Sequence, residues 1–309
     1  TGCNVSTYFN KEGFFRVKPA YNEKINGYWM CDKGRDVYKF LNRPVRLLTA
    51  KKRNENGWQE LTAGGASKSL FEILKISNAV GTGVAVVLTG QYSNEEYDAL
   101  IGKFKNNLNV QLFYHWQNNP ESAHQFDGLL VRGDKNPNTL GLKNAFKKHN
   151  VPQTESPTDT TRWNDLVEKL NSGTITTLVV AAPENHTVYH DLKKNIALFA
   201  KAKNLIWLSA CNLEEVDNLK GSVWQIPMKT YVEKDGTWTN FAGLEQKTSK
   251  ITTIVGDALT LTEFATLAAG ENYRLQYSQN LLIEDKRSQD SVMVEQRKRN
   301  EFTFKRNQL

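Results

Sequence analysis

The sequence predicts an α/β fold, in which a doubly wound, mostly parallel sheet follows a small β-rich segment. Three observations support this prediction. Near-continuous apolar runs recur at residues 84–89, 177–182 and 205–208, as in strands buried on both faces of a parallel sheet. Stretches with helical spacing separate these runs, which favours strand–helix–strand crossovers. The first 45 residues instead carry short aromatic runs around a glycine turn, which is a hairpin pattern.

In the β-rich segment we expect strands at residues 5–8 and 14–18, and a helix that begins after Cys31 and covers residues 32–40. Residues 41–62 are predicted to be a connector, because a charged run from Lys51 to Asn56 is typical of a turn.

From residue 63 the pattern alternates between helix and strand. Leu70 to Ile76 follow helical spacing, and Ser93 with Glu96 forms a capping box that opens a further helix. The remaining expected helices cover residues 139–149, 163–170, 188–203 and 258–269, and the remaining strands cover residues 110–114, 223–226 and 230–232.

The chain is expected to divide at residues 62 and 270. Residues 1–62 form the first unit with its connector, residues 63–270 the α/β domain, and residues 271–309 a charged extension. The extension is interpreted either as a solvated tail or as an arm that wraps another subunit. A long polar loop at residues 115–138 and a linker at residues 150–158 interrupt the α/β domain.

The composition is typical of a globular protein in water, with 39% hydrophobic and 24% charged residues. No apolar run approaches the ~18 residues of a membrane span. The net charge of +7 would suit an acidic partner, nucleic acid or lipid headgroups. A mixed-charge surface is the favoured interpretation, because 33 acidic residues accompany 40 basic ones, and no nucleic-acid partner is expected.

Two of the three cysteines carry the most specific chemical signal. Twenty-seven residues lie between Cys3, which is within Thr-Gly-Cys-Asn, and Cys31, which is within Trp-Met-Cys-Asp-Lys-Gly-Arg. A [4Fe–4S] cluster takes four thiolates, often with one remote from the others. Cys211 ends an apolar run and is predicted to be a buried structural thiol.

These flanks resemble the iron–sulfur segment of the molybdopterin oxidoreductase superfamily, above all that of the G subunit of NADH-quinone oxidoreductase or its relative in NAD-linked hydrogenases. That family carries Cys-x2-Cys-x3-Cys-x27-Cys, and Cys3 and Cys31 match its third and fourth cysteines. Two later stretches, at residues 127–141 and 231–246, extend the resemblance to about residue 270. The second of them contains the sequence Gly-Thr-x-Thr-Asn.

The resemblance implies that Cys3 and Cys31 are [4Fe–4S] ligands in an intact subunit that continues before residue 1 with a ferredoxin-like region. This chain alone is expected to bind no cluster, because it carries two of the four thiolates. The implied role is electron transfer or structure without independent catalysis. The implied partners are the NADH-binding and iron–sulfur subunits of the peripheral arm of complex I, and the implied location is the cytoplasmic side of the inner membrane, attached through the complex without membrane insertion.

The alternative function is that of an active molybdopterin-dependent subunit such as formate dehydrogenase. We do not expect molybdopterin, because no stretch resembles the usual molybdenum-ligand segment. Residues 89–93 follow a strand and open a helix, where a phosphate or pterin could bind, but a simple turn is favoured because only Gly90 is a glycine. Gly81-x-Gly83 precedes its strand and is therefore no dinucleotide fingerprint. A third possibility is a nucleic-acid-binding module.

Histidines and aromatic residues give weaker signals. His186 and His190 have the spacing of a zinc-binding pair but are interpreted as a surface pair at a helix start, and His115 and His124 as polar loop residues. In the second resembling stretch, Trp238 and Phe241 are expected in a buried loop between domains. Residues 134–138 are expected to form a turn and a helix start, which in relatives lies near the cofactor cleft.

Overall fold

The computed structural model describes residues 2–79, 81–154, 156 and 159–275. Eleven strands run through this part of the chain: β1 (Val5–Asn10), β2 (Gly13–Pro19), β3 (Ala50–Asn54), β4 (Gly57–Leu61), β5 (Val84–Leu88), β6 (Leu112–His115), β7 (Thr177–Ala181), β8 (Asn204–Ser209), β9 (Ser222–Pro227), β10 (Gly236–Thr239) and β11 (Glu245–Thr248). The α-helices of the same ranges are α1 (Asp32–Arg35), α2 (Ala63–Ser77), α3 (Asn94–Leu108), α4 (Thr139–Lys148), α5 (Thr161–Asn171), α6 (Leu192–Phe199), α7 (Glu214–Asp217) and α8 (Leu261–Ala268).

The main sheet has seven strands in the order β4-β3-β9-β8-β7-β5-β6. Strands β9, β8, β7, β5 and β6 pair in parallel, whereas β3 pairs antiparallel with both β4 and β9. The prediction of an α/β protein with a mostly parallel sheet is therefore confirmed.

Strand β5 is apolar throughout because both of its faces are covered. Val84, Val86 and Leu88 belong to the core on one face of the sheet, and Ala85 and Val87 to the core on the other face. Since side chains alternate along a strand, a strand covered on both faces has no polar positions. Residues of α2, α3, α4 and α8 fill the first core, and residues of α5 and α6 the second.

Residues 41–62 are not a plain connector, because β3 and β4 form an antiparallel hairpin that extends the main sheet through β9. Lys51, Lys52 and Arg53 lie in β3, where cation–π contacts accommodate them. The Lys52 ammonium lies 4.5 Å from the centre of the Trp224 ring, and Lys51 lies 5.0 Å from that of Trp58. Half-buried long side chains thus stand where the sequence pattern predicted a turn.

The N-terminal hairpin of β1 and β2 is confirmed. Its turn needs glycine, because Gly13 has φ = +129° and an added Cβ would lie 2.4 Å from Asn42 Oδ1. A third core joins this unit to the carboxyl end of β8. That core contains Phe9, Phe14, Phe40 and Leu41 from the N-terminal part and Ala210, Cys211, Val232, Ile254, Val255 and Ala258 from the rest of the chain.

Some predicted elements differ from the structure. Residues 230–232 form a turn, since the Glu233 carboxylate accepts hydrogen bonds from the Thr230 amide and hydroxyl. The expected helix at residues 32–40 is divided into α1 and a 3-10 turn at Val37–Phe40. The long loop after β6 is present, whereas residues 276–309 of the predicted extension lie outside the described residues. No helix within the described ranges is long and apolar enough to cross a membrane.

Candidate functional site

The crevice between β5 and β7 is where an α/β sheet of this topology would bind a ligand. The chain moves from β5 outward to β6 and returns to the other side of β5 to form β7. Such a reversal separates the loops at the carboxyl ends of the two strands, and ligands of doubly wound proteins bind between them. Residues 89–92 and 182–185 form these two loops.

The side chain of Gln91 closes this crevice. The Asn185 amide donates to Gln91 Oε1 at 2.7 Å, and Gln91 Nε2 lies 3.3 Å from the Asn185 carbonyl oxygen. The same nitrogen donates to Asn136 Oδ1 at 3.0 Å. Gln91 is 5% exposed, so its amide group fills the space between the loops as a packed part of the protein.

Gly90 lies beneath the loop that precedes α4. An added Cβ at Gly90 would lie 2.6 Å from Thr139 Oγ1 and 2.9 Å from Asn136 Cβ. The Asn138 amide donates to the Gly90 carbonyl oxygen at 2.9 Å. Gly90 therefore allows one loop to pack on another, and the backbone face that a phosphate would approach is covered.

The N-terminus of α3 is also satisfied internally. Ser93 Oγ accepts from the Glu96 amide, and Glu96 Oε2 accepts from the Ser93 amide at 2.9 Å. Glu95 adds a second carboxylate to the first turn. Because two acidic side chains already occupy the positive end of this helix, it disfavours a bound anion. The geometry favours the interpretation of residues 89–93 as a turn.

Asn138 joins the two stretches that carry the resemblance beyond the N-terminal unit. Its Nδ2 donates to the Tyr92 carbonyl oxygen at 2.7 Å and to Asn94 Oδ1 at 2.9 Å. Its Oδ1 accepts from the Thr239 amide at 2.7 Å, and Asn94 Nδ2 in turn donates to Thr239 Oγ1. One buried amide thus fixes the loop before α4, the start of α3 and the β10–β11 hairpin.

The N-terminal stretch reaches the same place through Gly2. Gln246 Nε2 donates to the Gly2 carbonyl oxygen at 2.7 Å. Gly2 has φ = +81°, and an added Cβ would lie 2.9 Å from Asn240 Cβ and 3.4 Å from the Pro137 carbonyl oxygen. Cys3, which follows, is half-buried next to this junction.

Cys31 lies at the N-cap of α1, and the amides of Gly34 and Arg35 donate to its carbonyl oxygen. Its thiol is half-buried and close enough to Lys135 to affect that ammonium group. Burial lowers the pKa of Lys135, Lys33 lowers it further, and Cys31 opposes the shift.

The described residues supply two cysteines to this region and contain no group of three or more His, Cys, Asp or Glu side chains that could hold a metal ion. A [4Fe–4S] cluster needs four ligands, so these residues alone do not complete one. His186 begins a 3-10 turn at His186–Val188, and burial lowers its pKa. Burial also lowers the pKa of His115 to about 4.

Cys211 is buried, as predicted, with 1% exposure. Burial raises the pKa of its thiol to about 11. Its Sγ lies 3.7 Å from the carbonyl oxygens of Phe40 and Glu184. A protonated buried thiol of this kind is a small packing group rather than a ligand.

Trp238 is buried, as expected, but it lies in strand β10 rather than in a loop, and the expected burial is wrong for Phe241. Trp238 is 6% exposed, whereas Phe241 is 50% exposed. The Arg132 guanidinium lies 3.5 Å from the centre of the Phe241 ring and 4.2 Å from that of Phe126. Phe241 therefore belongs to an exposed stacked group that links the β10–β11 hairpin to the long loop.

A buried network of charges, which the sequence does not predict, lies behind the crevice. The Lys234 ammonium lies 2.8 Å from Glu96 and 2.7 Å from Glu184, and all three side chains are almost fully buried. Arg46 and Glu233 form a second buried pair at 2.7 Å. The only trace of this network in the sequence is the adjacent pair Glu233-Lys234 within residues 231–246. That pair does not show which distant residues the two side chains will contact.

Comparison with known proteins finds similarity to the G subunit of NADH-quinone oxidoreductase from several bacteria. The chain is 28% identical over 125 residues to the NADH-quinone oxidoreductase G subunit of Shewanella oneidensis, which is 40% of this chain and 13% of that protein. It is 32% identical over 90 residues to the same subunit of Pseudomonas fluorescens, 27% of this chain and 9% of that protein. It is 28% identical over 102 residues to that of Escherichia coli K12, 33% of this chain and 11% of that protein.

The chain therefore matches only about a tenth of the length of these curated relatives. No protein-family model matches it. The matched stretches show what this chain is similar to, namely parts of the G subunit of NADH-quinone oxidoreductase.

Proposed function

We propose that this chain is part of an electron-transfer or structural subunit of a respiratory NADH:quinone oxidoreductase, or of a related NAD-linked hydrogenase, and performs no catalysis of its own. The observation that supports this most is the meeting of three stretches that resemble the NADH-quinone oxidoreductase subunit. Gly2, the loop at residues 134–138 and the β10–β11 hairpin are far apart in sequence, yet they share direct contacts.

In this proposal Cys3 and Cys31 provide two of four thiolates of a [4Fe–4S] cluster in the intact parent protein. Cluster ligands bind iron as thiolates, and both cysteines are half-buried in the N-terminal part of the chain. The cluster supplies one-electron transfer when it is bound. The residues of this chain contribute a fixed framework, because Gln246, Asn138 and Gly2 hold the surrounding loops in contact with each other.

The α/β domain acts as a scaffold in this proposal. A molybdopterin nucleotide would need room for its phosphates at the carboxyl ends of the strands. Gln91 fills the crevice at the topological switch point, and Asn136 and Thr139 cover Gly90. The residues present do not fit such a group, so the alternative of an active molybdenum enzyme is disfavoured.

The partners in this proposal are the other subunits of the peripheral arm, including the NADH-binding and iron–sulfur subunits. The location is the cytoplasmic side of the inner membrane, reached through the complex. The similar NADH-quinone oxidoreductase subunits of Shewanella oneidensis and Escherichia coli support this assignment. Nucleic acid is not a partner in this proposal.

Purification of the tagged chain from respiratory membranes of its own organism tests the proposal. We expect NADH dehydrogenase activity and iron to copurify with the tag, without molybdenum. An untagged strain is the control for adsorption. Stoichiometric molybdenum would establish the alternative enzyme, and a tagged chain that separates from all NADH dehydrogenase activity would refute the respiratory assignment.

A further inference from the structure

We propose that Asn56 is a site of spontaneous covalent modification, at which the side-chain amide is hydrolysed and the chain gains an aspartate or an isoaspartate. Asparagine followed by glycine is the pair most prone to this reaction, because glycine has no Cβ to hinder the approach of its backbone nitrogen. The sequence contains two such pairs, Asn26-Gly27 and Asn56-Gly57. The structure distinguishes them, because Asn56 is exposed whereas Asn26 is buried and hydrogen-bonded.

The reaction needs no partner except water. The backbone nitrogen of Gly57 attacks the side-chain carbonyl carbon of Asn56, its proton passes to the departing amide nitrogen, and ammonia leaves. The product is a succinimide ring, in which the Gly57 nitrogen is bonded to both carbonyl carbons of the former asparagine. Water then breaks one of these two bonds. Cleavage at the side-chain carbon gives aspartate, and cleavage at the backbone carbon gives isoaspartate.

The side chain of Asn56 is free to react. Asn56 lies in the exposed turn between β3 and β4. Its backbone amide donates to Asn54 Oδ1 at 2.9 Å, but its side-chain amide makes no hydrogen bond within the part of the chain that the structure describes. The side-chain carbonyl carbon can therefore rotate towards the Gly57 nitrogen without breaking any contact.

Gly57 has space for the succinimide ring. It adopts φ = +112°, and an added Cβ would meet no atom within 4 Å. Strand β4 is at the edge of the sheet, and Gly57 with Asn54 forms the last pair of the β3–β4 ladder. The end of an edge hairpin opens more easily than a central strand, so the Gly57 nitrogen becomes available for attack.

Asn26 has the opposite environment. It is 8% exposed, its Nδ2 donates to the Trp29 carbonyl oxygen at 3.1 Å, and its Oδ1 accepts from the Asn4 amide at 2.9 Å. The Gly27 amide, which would be the attacking nitrogen, donates to the Asn22 carbonyl oxygen at 2.8 Å. Both reacting groups are thus engaged, so Asn26 reacts only when this part of the chain opens.

Modification of Asn56 changes the charge and the backbone at one edge of the main sheet. Replacement of a neutral amide by a carboxylate lowers the formal net charge from +7 to +6. Isoaspartate also adds a methylene group to the backbone of the turn. Trp58, just beyond the turn, donates through Nε1 to the Asp217 carbonyl oxygen at 3.2 Å and holds β4 against the rest of the protein. We therefore expect the structural change to be confined to the turn.

Incubation of the full chain at neutral pH, followed by mass spectrometry of tryptic peptides, tests the proposal. Trypsin cleaves after Lys24 and after Arg53, so the two Asn-Gly pairs fall in different peptides and Asn26 is an internal control. Fragment spectra distinguish Asn56 from Asn54, and a sample digested without incubation corrects for conversion during digestion. We expect conversion at Asn56 to be roughly tenfold or more faster than at Asn26, because only Asn26 requires local opening of buried structure.

The same incubation in guanidinium chloride shows whether the fold causes the difference. In the unfolded chain we expect Asn26 and Asn56 to convert at similar rates. Equal rates in the folded chain would contradict the protection of Asn26. A folded chain in which Asn56 stays unchanged, while the unfolded chain converts, would refute the proposal.

The variant Asn56→Ser gives a second readout. Incubation of the unchanged chain should produce a more acidic form that elutes earlier from a cation-exchange column, and the variant should produce much less of it. Because the Asn56 side chain is exposed, we expect the two proteins to have the same melting temperature. If the variant produces the acidic form as fast as the unchanged chain, the modification lies elsewhere and the assignment to Asn56 is overturned.

Discussion

Lys234 is the residue on which the packing around the closed crevice depends most. Its ammonium lies between the carboxylates of Glu96 and Glu184, and the centre of the Tyr92 ring is 4.9 Å away. Burial opposes its charge, but Glu184 and Glu96 hold the pKa of Lys234 above its ordinary value. Burial likewise raises the pKa of Glu184, and Lys234 opposes that shift.

The substitution Lys234→Met should therefore cost about 3–5 kcal/mol of unfolding free energy at pH 7, because it leaves two buried carboxylates without their cation. Urea unfolding followed by circular dichroism measures this loss. The control Lys103→Met removes a partly exposed ion pair with Glu271 and should cost about 0.5 kcal/mol. Equal losses in the two variants would contradict the central role of Lys234.

The unfolding free energy lost in Lys234→Met should become smaller as the pH falls from 7 to 5. A carboxyl group whose pKa is higher in the folded protein than in the unfolded protein destabilises the fold as the pH rises through that interval. Without Lys234 the pKa of Glu184 rises further, so the variant gains stability on acidification relative to the unchanged protein. If the unfolding free energy lost in Lys234→Met becomes larger on acidification, Glu184 is not the group that causes the pH dependence.

Single residues also mark the limit of what the sequence reveals about the site. The role of Cys3 and Cys31 as cluster ligands stays a prediction from their flanks, whereas the burial of Cys211 is confirmed. The partners of these residues are not recognisable, since Lys135 is about a hundred residues from Cys31 and Gln246 is 244 from Gly2. Contacts at such separations depend on the path of the whole chain, which no local pattern contains.

At the scale of elements, the strands in the middle of the sheet were predictable because burial on both faces leaves a continuous apolar sequence. Strands β5, β7 and β8 are examples. The hairpin of β3 and β4 was missed because β4 is an edge strand and β3 carries three cations beside tryptophan rings. The capping box of Ser93 and Glu96 was predictable because it involves only neighbours in sequence.

The loop before α4 gives a prediction at this scale. Gly90→Ala should destabilise the protein by about 1–3 kcal/mol, because the added methyl group would collide with Thr139 and Asn136. Thermal unfolding of the variant measures the effect.

The matched control is Gly102→Ala in α3. An added Cβ there meets only the His149 ring, at 3.2 Å, and alanine favours helix over glycine by about 1 kcal/mol. We expect this variant to be as stable as the unchanged protein or more so. Unimpaired stability of Gly90→Ala would mean that the loop does not cover Gly90, which would reopen the crevice as a binding site.

At the scale of the whole molecule, the N-terminal unit and the α/β domain share a core, so the two cysteines are attached to a large folded body. The fold class was predictable from periodicity. The division into a unit at residues 1–62, a domain at residues 63–270 and an extension stays a prediction, and the structure adds that residues 50–61 pair with the main sheet.

The most direct test of the central claim is electron paramagnetic resonance of the reduced, anaerobically purified assembly that contains Cys31→Ser. We predict the loss or alteration of one [4Fe–4S] signal, while Cys211→Ala, which changes a buried thiol with a high pKa, leaves all signals unchanged. Identical spectra for the unchanged chain and Cys31→Ser would contradict the claim that Cys31 is a cluster ligand.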